Sequence, residues 1–440
     1  MYCTPRRHLP IRSQTASAPE SPKLSGIKTA LLIPGRGDPI KNAAVVIHED
    51  KITWVGSQSS LPLKYTMLHF TEVPVLMPGL WDCHVHFFGG VMADGQSGYE
   101  TILTTPAALA GARISTDFRR TLRAGFTSVR EVGGYGGEIF PAVQEGSIIG
   151  PNVYSSIAPI SMTGGHGDIH NLPLQTVLDA CAHGLPMALC DGVPECIKTV
   201  RKMIRRGAKC IKICASGGVM SLLDDPQDAE FSLEELKAIV EEAARAKRAV
   251  AAHCHGKSGI INALNAGVKT IEHGSYLDEE CVALMKEKDA IFVATATVIE
   301  EGMKDLDHLP PINRRKMQET AAHSRHAYAL AIKHGVKIAL GTDLSDCDED
   351  SWTGHGKNGK EIYYAVKAGM TPLQAIEACT ATSPETLGQL APKTGQLKEG
   401  YDADLIAVLS SPLEDIDILS NVNNITHVWK GGKLYKSPVA

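Results

Sequence analysis

The apolar residues in the middle of the chain follow two different periods. Short apolar runs alternate with segments in which apolar residues recur every three or four positions, as on one face of an amphipathic helix. Helices are predicted from Ser232 onward, over 279–288 and over 321–334. Eight runs predict β-strands, at residues 80–86, 126–130, 152–158, 208–216, 249–255, 268–273, 290–295 and 336–343. Repeated strand-then-helix units predict an α/β fold in which residues 78–391 form a (β/α)8 TIM barrel, with a doubly wound sheet as the alternative.

Both ends of the chain show short β-type runs separated by Gly, Pro and Asp. Neither end is long enough to form a good core by itself. We therefore expect residues 26–77 and 392–440 to pair in one small β-sandwich domain, with the barrel inserted between them. Residues 1–25 are rich in Ser, Pro and Arg and are predicted to be a disordered tail.

The composition narrows the classes of function. Of the 440 residues, 43% are hydrophobic and 21% are charged, which is ordinary for a globular protein. The 44 basic and 49 acidic side chains give a net charge of −5, which argues against nucleic acid as a partner. No apolar run approaches the ~18 residues of a membrane span, and no secretory signal is recognisable. The chain has 11 cysteines and no C-x-x-C pair, so we expect a reducing compartment and a cytoplasmic location.

Polar residues end several of the predicted strands. Since active sites of such barrels gather at the carboxyl ends of the strands, these side chains are expected to meet at one mouth. His84 and His86 lie on one face of their strand, because side chains alternate with period two. Imidazoles suit zinc and related ions. The strand-end residues that predict a metal site are His84, His86, Lys212, His253, His273 and Asp343.

Lys212 is the most informative of these residues. It lies in an apolar strand, where burial is expected to lower its pKa toward the neutral amine. A neutral amine can react with carbon dioxide to give a carbamate, an anionic ligand able to bridge two ions. The alternative is a lysine that extends its ammonium to the barrel rim. Asp343 could act as general acid and base beside a metal-bound water, or could simply cap a helix.

Seven motifs carry a resemblance to a known family: VLMPGLWDCHVH at 75–86, GGHGD at 164–168, RGAKCIK at 206–212, AHCHG at 252–256, IEH at 271–273, LGTD at 340–343 and GYDADL at 400–405. Together they resemble the metal-dependent amidohydrolase superfamily, and within it the ochratoxinase-like, zinc carboxypeptidase-type enzymes, which include Xaa-Pro dipeptidases. The resemblance spans about residues 26–436.

The resemblance implies a centre of two Zn²⁺ per subunit, with Lys212 carboxylated as the bridge and Asp343 as the catalytic acid and base. His84, His86, Lys212 and Asp343 would surround one ion, and His253 and His273 the second. His166 and His255 would face the substrate, a small-molecule amide such as an N-acylated aromatic or hydrophobic amino acid. Homo-oligomers are implied, and no nucleic acid or membrane partner is expected.

Three departures from the ochratoxinase-like pattern concern the substrate more than the metal. An acidic loop at 346–350 would disfavour an anionic substrate unless it points into solvent. The segment 181–190 is shorter than in relatives, and Glu131 stands where relatives usually have Asp. Two alternatives stay open: a mononuclear deaminase or imidazolone-type ring opener on the same fold, and a non-catalytic scaffold.

Overall fold

The fold is that of a computed structural model, which describes residues 24–91 and 99–438. The predicted disordered tail lies outside these residues, except at its last two positions. Leu24 and Ser25 already belong to the first strand, where they pair with His48 and Ile47, so the predicted boundary at residue 25 is two positions too late.

The described residues form seventeen strands and twelve α-helices. The strands are β1 (Leu24–Leu32), β2 (Ile40–His48), β3 (Lys51–Ser57), β4 (Phe70–Pro78), β5 (Leu80–Val85), β6 (Phe126–Glu131), β7 (Asn152–Ser155), β8 (Pro159–Ser161), β9 (Ala188–Leu189), β10 (Ile211–Cys214), β11 (Val250–Cys254), β12 (Thr270–His273), β13 (Ile291–Val293), β14 (Lys337–Ile338), β15 (Leu405–Val408), β16 (Ile425–Lys430) and β17 (Lys433–Lys436). The helices are α1 (Tyr99–Thr104), α2 (Ala107–Arg123), α3 (Gly136–Gln144), α4 (Leu174–Ala182), α5 (Gly192–Arg205), α6 (Leu233–Arg245), α7 (Lys257–Ala266), α8 (Glu279–Glu287), α9 (Ala296–Gly302), α10 (Pro311–Lys333), α11 (Lys360–Lys367) and α12 (Pro372–Ala378).

The middle of the chain contains a parallel seven-stranded sheet in the order β14-β13-β12-β11-β10-β8-β9 and a parallel three-stranded sheet β5-β6-β7. Strands β10 to β14 lie in chain order, without the reversal that a doubly wound sheet requires. Backbone hydrogen bonds join the two sheets at two places, one beside β14 and one beside β10. Cys83 donates to Leu340 at 2.8 Å, and Lys209 donates to Ser155 at 2.7 Å. This arrangement is consistent with the predicted barrel.

The helices follow local sequence signals where those signals are strong. At α6 the Ser232 hydroxyl accepts the Glu235 N–H, and the Glu235 carboxylate accepts the Ser232 N–H, which confirms the predicted capping box. Helix α10 begins at Pro311, ten positions before the predicted start. Its first half buries Asn313 and Lys316, so apolar periodicity does not mark it. No helix within residues 24–91 and 99–438 has the length and apolar character needed to cross a bilayer.

The two chain ends join in one sheet with the order β17-β16-β15-β4-β1-β2-β3. Strand β15 pairs antiparallel with β4, so residues more than 300 positions apart become neighbours. The two faces of β15 are both buried: Ile406 and Val408 pack against the core of the barrel, whereas Leu405 and Ala407 pack with β1, β2 and β4. The described residues of the two ends form a single sheet, so the second layer of the predicted sandwich is not confirmed.

Asp404 connects this sheet to the barrel. Its carboxylate accepts hydrogen bonds from the Gly431 N–H at 2.7 Å and from Asn152 Nδ2 at 3.0 Å. Only 3% of the residue is exposed, and burial raises its pKa to about 7. The folded protein therefore binds a proton at Asp404 more tightly than the unfolded chain does, and this contribution to stability is lost as the pH rises from about 4 to about 7.

We predict that Asp404→Asn flattens this part of the stability profile. Between pH 4.5 and pH 7.5 the contribution of Asp404 to the free energy of unfolding should be lost in the parent but not in the variant, because the amide has no charge to bury. Urea denaturation across this pH range measures the difference, with Asp38→Asn as the control at an exposed position. Equal pH slopes in Asp404→Asn and in the parent would contradict the assignment.

Candidate metal centre and active site

All eight residues predicted as site residues line one cavity at the carboxyl ends of the parallel strands: His84, His86, His166, Lys212, His253, His255, His273 and Asp343. Their convergence follows from the parallel sheet, because each strand ends at the same edge. The cavity therefore brings together groups that lie up to 259 positions apart in the sequence, from residue 84 to residue 343.

The first group of potential metal ligands contains His84, His86 and Asp343. The Asp343 Oδ1 lies 3.1 Å from His86 Nε2 and 3.4 Å from His84 Nε2. Burial alone would raise the pKa of Asp343, but the neighbouring His84 and His86 have the larger combined effect and lower the pKa to about 2. Asp343 does not cap a helix, since the next α-helix along the chain begins at Lys360. The group presents a carboxylate and two imidazoles to a common point.

The second group contains His253, His255 and His273, whose potential ligand atoms lie within 4.8 Å of one another. The sequence assigned His255 to the substrate, whereas its position also allows it to be a third ligand of this group. His166 stacks on His253, with ring centroids 4.0 Å apart and an interplanar angle of 17°. Burial lowers the pKa of His255 to about 3 and that of His166 to about 4, so both rings are neutral at neutral pH.

Lys212 lies between the strands that carry the two groups. Its Nζ is 3.4 Å from His84 Nε2, and only 3% of the residue is exposed. Its amine therefore does not extend to a solvated rim. Burial lowers its pKa from the ordinary value of lysine. These conditions favour the neutral amine that carboxylation needs.

The donor set fits divalent ions. A histidine ligand usually holds its second ring nitrogen in a hydrogen bond, which orients the ring and leaves the first nitrogen free for the ion. His86 Nδ1 donates to the Gly133 carbonyl at 2.8 Å, and His253 Nε2 lies 3.1 Å from the Gly217 carbonyl. Similar bonds are made by the Nδ1 atoms of His84 to Glu272, His255 to Ser275 and His273 to Thr295.

The sequence did not identify the buried ion pair that supports His84. Arg130 and Glu272 are fully buried, and Arg130 Nη2 donates to both carboxylate oxygens at 2.7 and 2.8 Å. Glu272 Oε2 also accepts the His84 Nδ1–H at 2.8 Å. Because an unpaired buried carboxylate is costly, this arrangement fixes the orientation of the His84 ring.

Backbone strain places Glu272 and His273 on the same side of the sheet. Alternation along β12 would send consecutive side chains to opposite faces. His273 has φ = 67°, however, and Asp343 has φ = 64°, values that non-glycine residues rarely adopt. Such strain costs about 1–3 kcal/mol per residue and often occurs at functional sites. It lets Glu272 support His84 while His273 itself faces the cavity.

Three further groups that the sequence did not reveal hold His166. Its Nδ1 lies 2.8 Å from Ser221 Oγ, and its Nε2 lies 3.4 Å from the Tyr99 hydroxyl. The His166 N–H donates to Glu230 at 2.7 Å. Burial raises the pKa of Glu230 to about 8. His166 is thus fixed at its backbone and at both ring nitrogens.

The three departures noted in the sequence have separate structural outcomes. In the acidic loop, Asp348, Glu349 and Asp350 are exposed, whereas Asp346 is buried at 1% exposure, and none of the four lines the cavity. Glu131 accepts the N–H groups that begin α3, away from the cavity lining. The segment 181–190 does reach the site, since Met187 lines the cavity.

Comparisons with known proteins identify similar chains and folds. The Amidohydrolase family matches residues 75–435. Ochratoxinase from Aspergillus niger is 47% identical over 444 aligned positions, which cover 97% of this chain and 90% of that protein. The crystal structure of A. niger ochratoxinase has a TM-score of 0.89 at 48% identity and covers 95% of this chain and 97% of that one. A Xaa-Pro dipeptidase with methionine bound in its active site has a TM-score of 0.82 at 29% identity, over 94% of this chain and 100% of that one.

We predict that Gly218→Ala displaces His166 without removing any potential metal ligand. A Cβ at Gly218 would lie 2.1 Å from His166 Nδ1, so the ring must move and lose its bond to Ser221. Misplacing a group in an active-site cavity by about 1 Å can cost ~100-fold in rate, so if His166 contacts the substrate, kcat/KM on an amide substrate should fall by about 10-fold or more. The metal content should stay unchanged.

The control is Gly111→Ala on α2, where the added Cβ has its nearest neighbour, Ile139, at 4.0 Å. Steady-state kinetics and elemental analysis of both variants check the prediction. Unchanged kinetics in Gly218→Ala would show that the position of His166 does not matter to the reaction.

Proposed function

Because this chain belongs to the Amidohydrolase family and is a hydrolase of amide bonds, we propose that it cleaves N-acylated aromatic or hydrophobic amino acids at a centre of two zinc ions. The observation that carries the proposal is the position of Lys212, whose amine is buried beside His84 and interacts electrostatically with Asp343.

We also propose that the parallel strands form a closed (β/α)8 barrel beside a β-sandwich built from both ends of the chain.

Lys212 has the surroundings that a bridging carbamate needs. Its neutral amine would form an N–C bond with carbon dioxide and release one proton, which gives an anionic oxygen ligand. His84, His86 and Asp343 would hold one ion with this bridge, and His253 and His273 would hold the other. A mononuclear deaminase binds one ion and needs no bridging ligand, so the buried position of Lys212 favours the binuclear hydrolase. The intact donor set likewise argues against a non-catalytic scaffold.

When bound, two zinc ions would lower the pKa of a water molecule and polarise the carbonyl of the substrate. Asp343 is positioned to move the proton, because its carboxylate is ionised at neutral pH and lines the cavity, 3.1 Å from His86 Nε2. As the water oxygen bonds to the carbonyl carbon, Asp343 takes a proton from that water. It then donates the proton to the amide nitrogen as the C–N bond breaks, which releases a carboxylic acid and an amine.

The substrate class rests on the relatives and on the cavity. One relative is named for the hydrolysis of ochratoxin, and another binds methionine in its active site. His166 and His255 would face the substrate in this chain, and the Tyr99 hydroxyl lies beside His166. These neutral donors could receive the carboxylate of an N-acyl amino acid. We propose a small-molecule amide as the partner and a homo-oligomer as the assembly.

We predict that Lys212→Ala loses the bridged pair of ions and that turnover falls by more than about 100-fold. The control is Lys209→Ala, which changes an exposed lysine three positions earlier on the same segment. Elemental analysis gives the metal content of each variant, and incorporation of isotope-labelled bicarbonate reports the carbamate by NMR.

The parent and Lys209→Ala should show two ions per chain and a carbamate signal, and Lys212→Ala should show neither. A parent protein with one ion per chain and an unmodified Lys212 would favour the mononuclear alternative. Full turnover in Lys212→Ala would refute the binuclear mechanism, and a zinc-loaded parent without hydrolysis of any amide would favour the scaffold.

A further inference from the structure

Two separate apolar surfaces flank the polar centre of the cavity. The first, here named the methionine–tryptophan surface, consists of Val219, Met220, Val298, Ile299, Met317 and Trp352. The second, here named the phenylalanine–tyrosine surface, consists of Phe88, Tyr99, Ile102 and Met187. Each belongs to its own hydrophobic cluster, and the two clusters share no residue.

The surfaces lie on different halves of the barrel mouth. The phenylalanine–tyrosine surface comes from segments between β5 and β9, whereas the methionine–tryptophan surface comes from segments that follow β10, β13 and β14. Phe88 stacks on His86, with ring centroids 5.1 Å apart. The histidines and Asp343 therefore separate the two apolar regions, and a bond cut at the centre has an apolar surface on each side.

The two surfaces differ in whether they contain an ionisable side chain. Among the described residues of the lining, the ionisable groups are the site histidines, Lys212, Asp343, Tyr99 and Cys214. The methionine–tryptophan surface contains none of them, so it suits an uncharged group. The phenylalanine–tyrosine surface contains the Tyr99 hydroxyl, which lies 3.4 Å from His166 Nε2. On this side two groups that can donate hydrogen bonds, the Tyr99 hydroxyl and the His166 imidazole, lie close together beside apolar side chains, as a carboxylate next to an apolar side chain requires.

Side-chain chemistry indicates what each surface accepts. Methionine side chains are flexible and polarisable and make favourable contacts with aromatic rings, and tryptophan adds a large flat face. Met220 and Met317 lie with Trp352 on the first surface. A planar aromatic acyl group of variable outline would therefore bind there better than a small aliphatic one.

We propose that the two surfaces are separate subsites of fixed orientation: the methionine–tryptophan surface binds the aromatic acyl group, and the phenylalanine–tyrosine surface binds the amino acid with its carboxylate. This inference rests on the proposed function, because it assigns the two halves of the same amide substrate. It adds the direction in which the substrate lies and the residues that select each half.

The test uses the same substitution once on each surface. Met317 and Met187 are both buried, at 1% and 2% exposure, so Met317→Ala and Met187→Ala form a matched pair. The zinc-loaded full-length protein and both variants are assayed with N-acetyl-alanine, N-benzoyl-alanine, N-acetyl-phenylalanine and N-benzoyl-phenylalanine. The measured quantities are two ratios of kcat/KM, benzoyl over acetyl and phenylalanine over alanine.

Met317→Ala should lower the benzoyl-to-acetyl ratio by about 10-fold or more and leave the phenylalanine-to-alanine ratio unchanged. Met187→Ala should lower the phenylalanine-to-alanine ratio by about 10-fold or more and leave the benzoyl-to-acetyl ratio unchanged. Equal losses on all four substrates, or the opposite assignment of the two ratios, would overturn the inference. Met317→Leu and Met187→Leu give the same pair of ratios with a conservative change if an alanine variant does not fold.

Failure of the proposed function has a different signature. If the zinc-loaded parent cleaves none of the four compounds, the assignment as an N-acyl amino acid hydrolase fails. Binding of the same compounds to the parent and to the two variants, measured by calorimetry, still tests the subsites. Binding that loses its benzoyl preference only in Met317→Ala supports them, and binding without that pattern rejects them.

Discussion

One buried carboxylate, that of Asp82, holds together the two segments that supply the first group of potential metal ligands. Asp82 on β5 accepts hydrogen bonds from the His84 N–H at 3.1 Å, the Thr342 N–H at 3.0 Å and Asn358 Nδ2 at 2.8 Å. These bonds tie the first parallel strand to the segment after β14. Since a slip of one residue would reverse every side chain of a strand, this link sets the register in which His84 and Asp343 face each other.

The same carboxylate shows how the fold tolerates ionisable groups in its interior. Burial raises the pKa of Asp82 to about 6, and its hydrogen bonds oppose that rise. For Glu272, burial also raises the pKa, but Arg130 and His84 lower it well below the ordinary value. Two carboxylates at similar depth therefore have opposite shifts, because only one has a cation beside it. The charged pair of Arg130 and Glu272 contacts the cavity through the hydrogen bond from His84 to Glu272, and so it orients one potential metal ligand.

Much of this architecture follows from local sequence patterns. Alternation along short strands predicts which imidazoles share a face, and strand ends predict the mouth at which they gather. The same rule fails at Glu272 and His273, because a positive φ at His273 reverses the expected direction of its side chain. Arg130 reads as part of an apolar strand, and its role as partner of Glu272 depends on a contact across 142 positions that no local pattern records. The apolar surfaces of the cavity likewise combine segments that are distant in sequence.

The loop after β10 supports several parts of the cavity at once. Lys316 on α10 donates to the carbonyls of Gly218 and Ser221, at 3.0 and 2.9 Å. The loop 217–221 carries the Gly217 carbonyl that orients His253, the Ser221 hydroxyl that orients His166, and two residues of the methionine–tryptophan surface. The buried Lys316 side chain thus supports a potential metal ligand, the ring of His166 and an apolar wall of the cavity at once. Because these elements share one support, a displacement of the loop backbone would change the surroundings of His253 and His166 together, whereas a displacement of the His166 ring alone leaves the potential metal ligands in place.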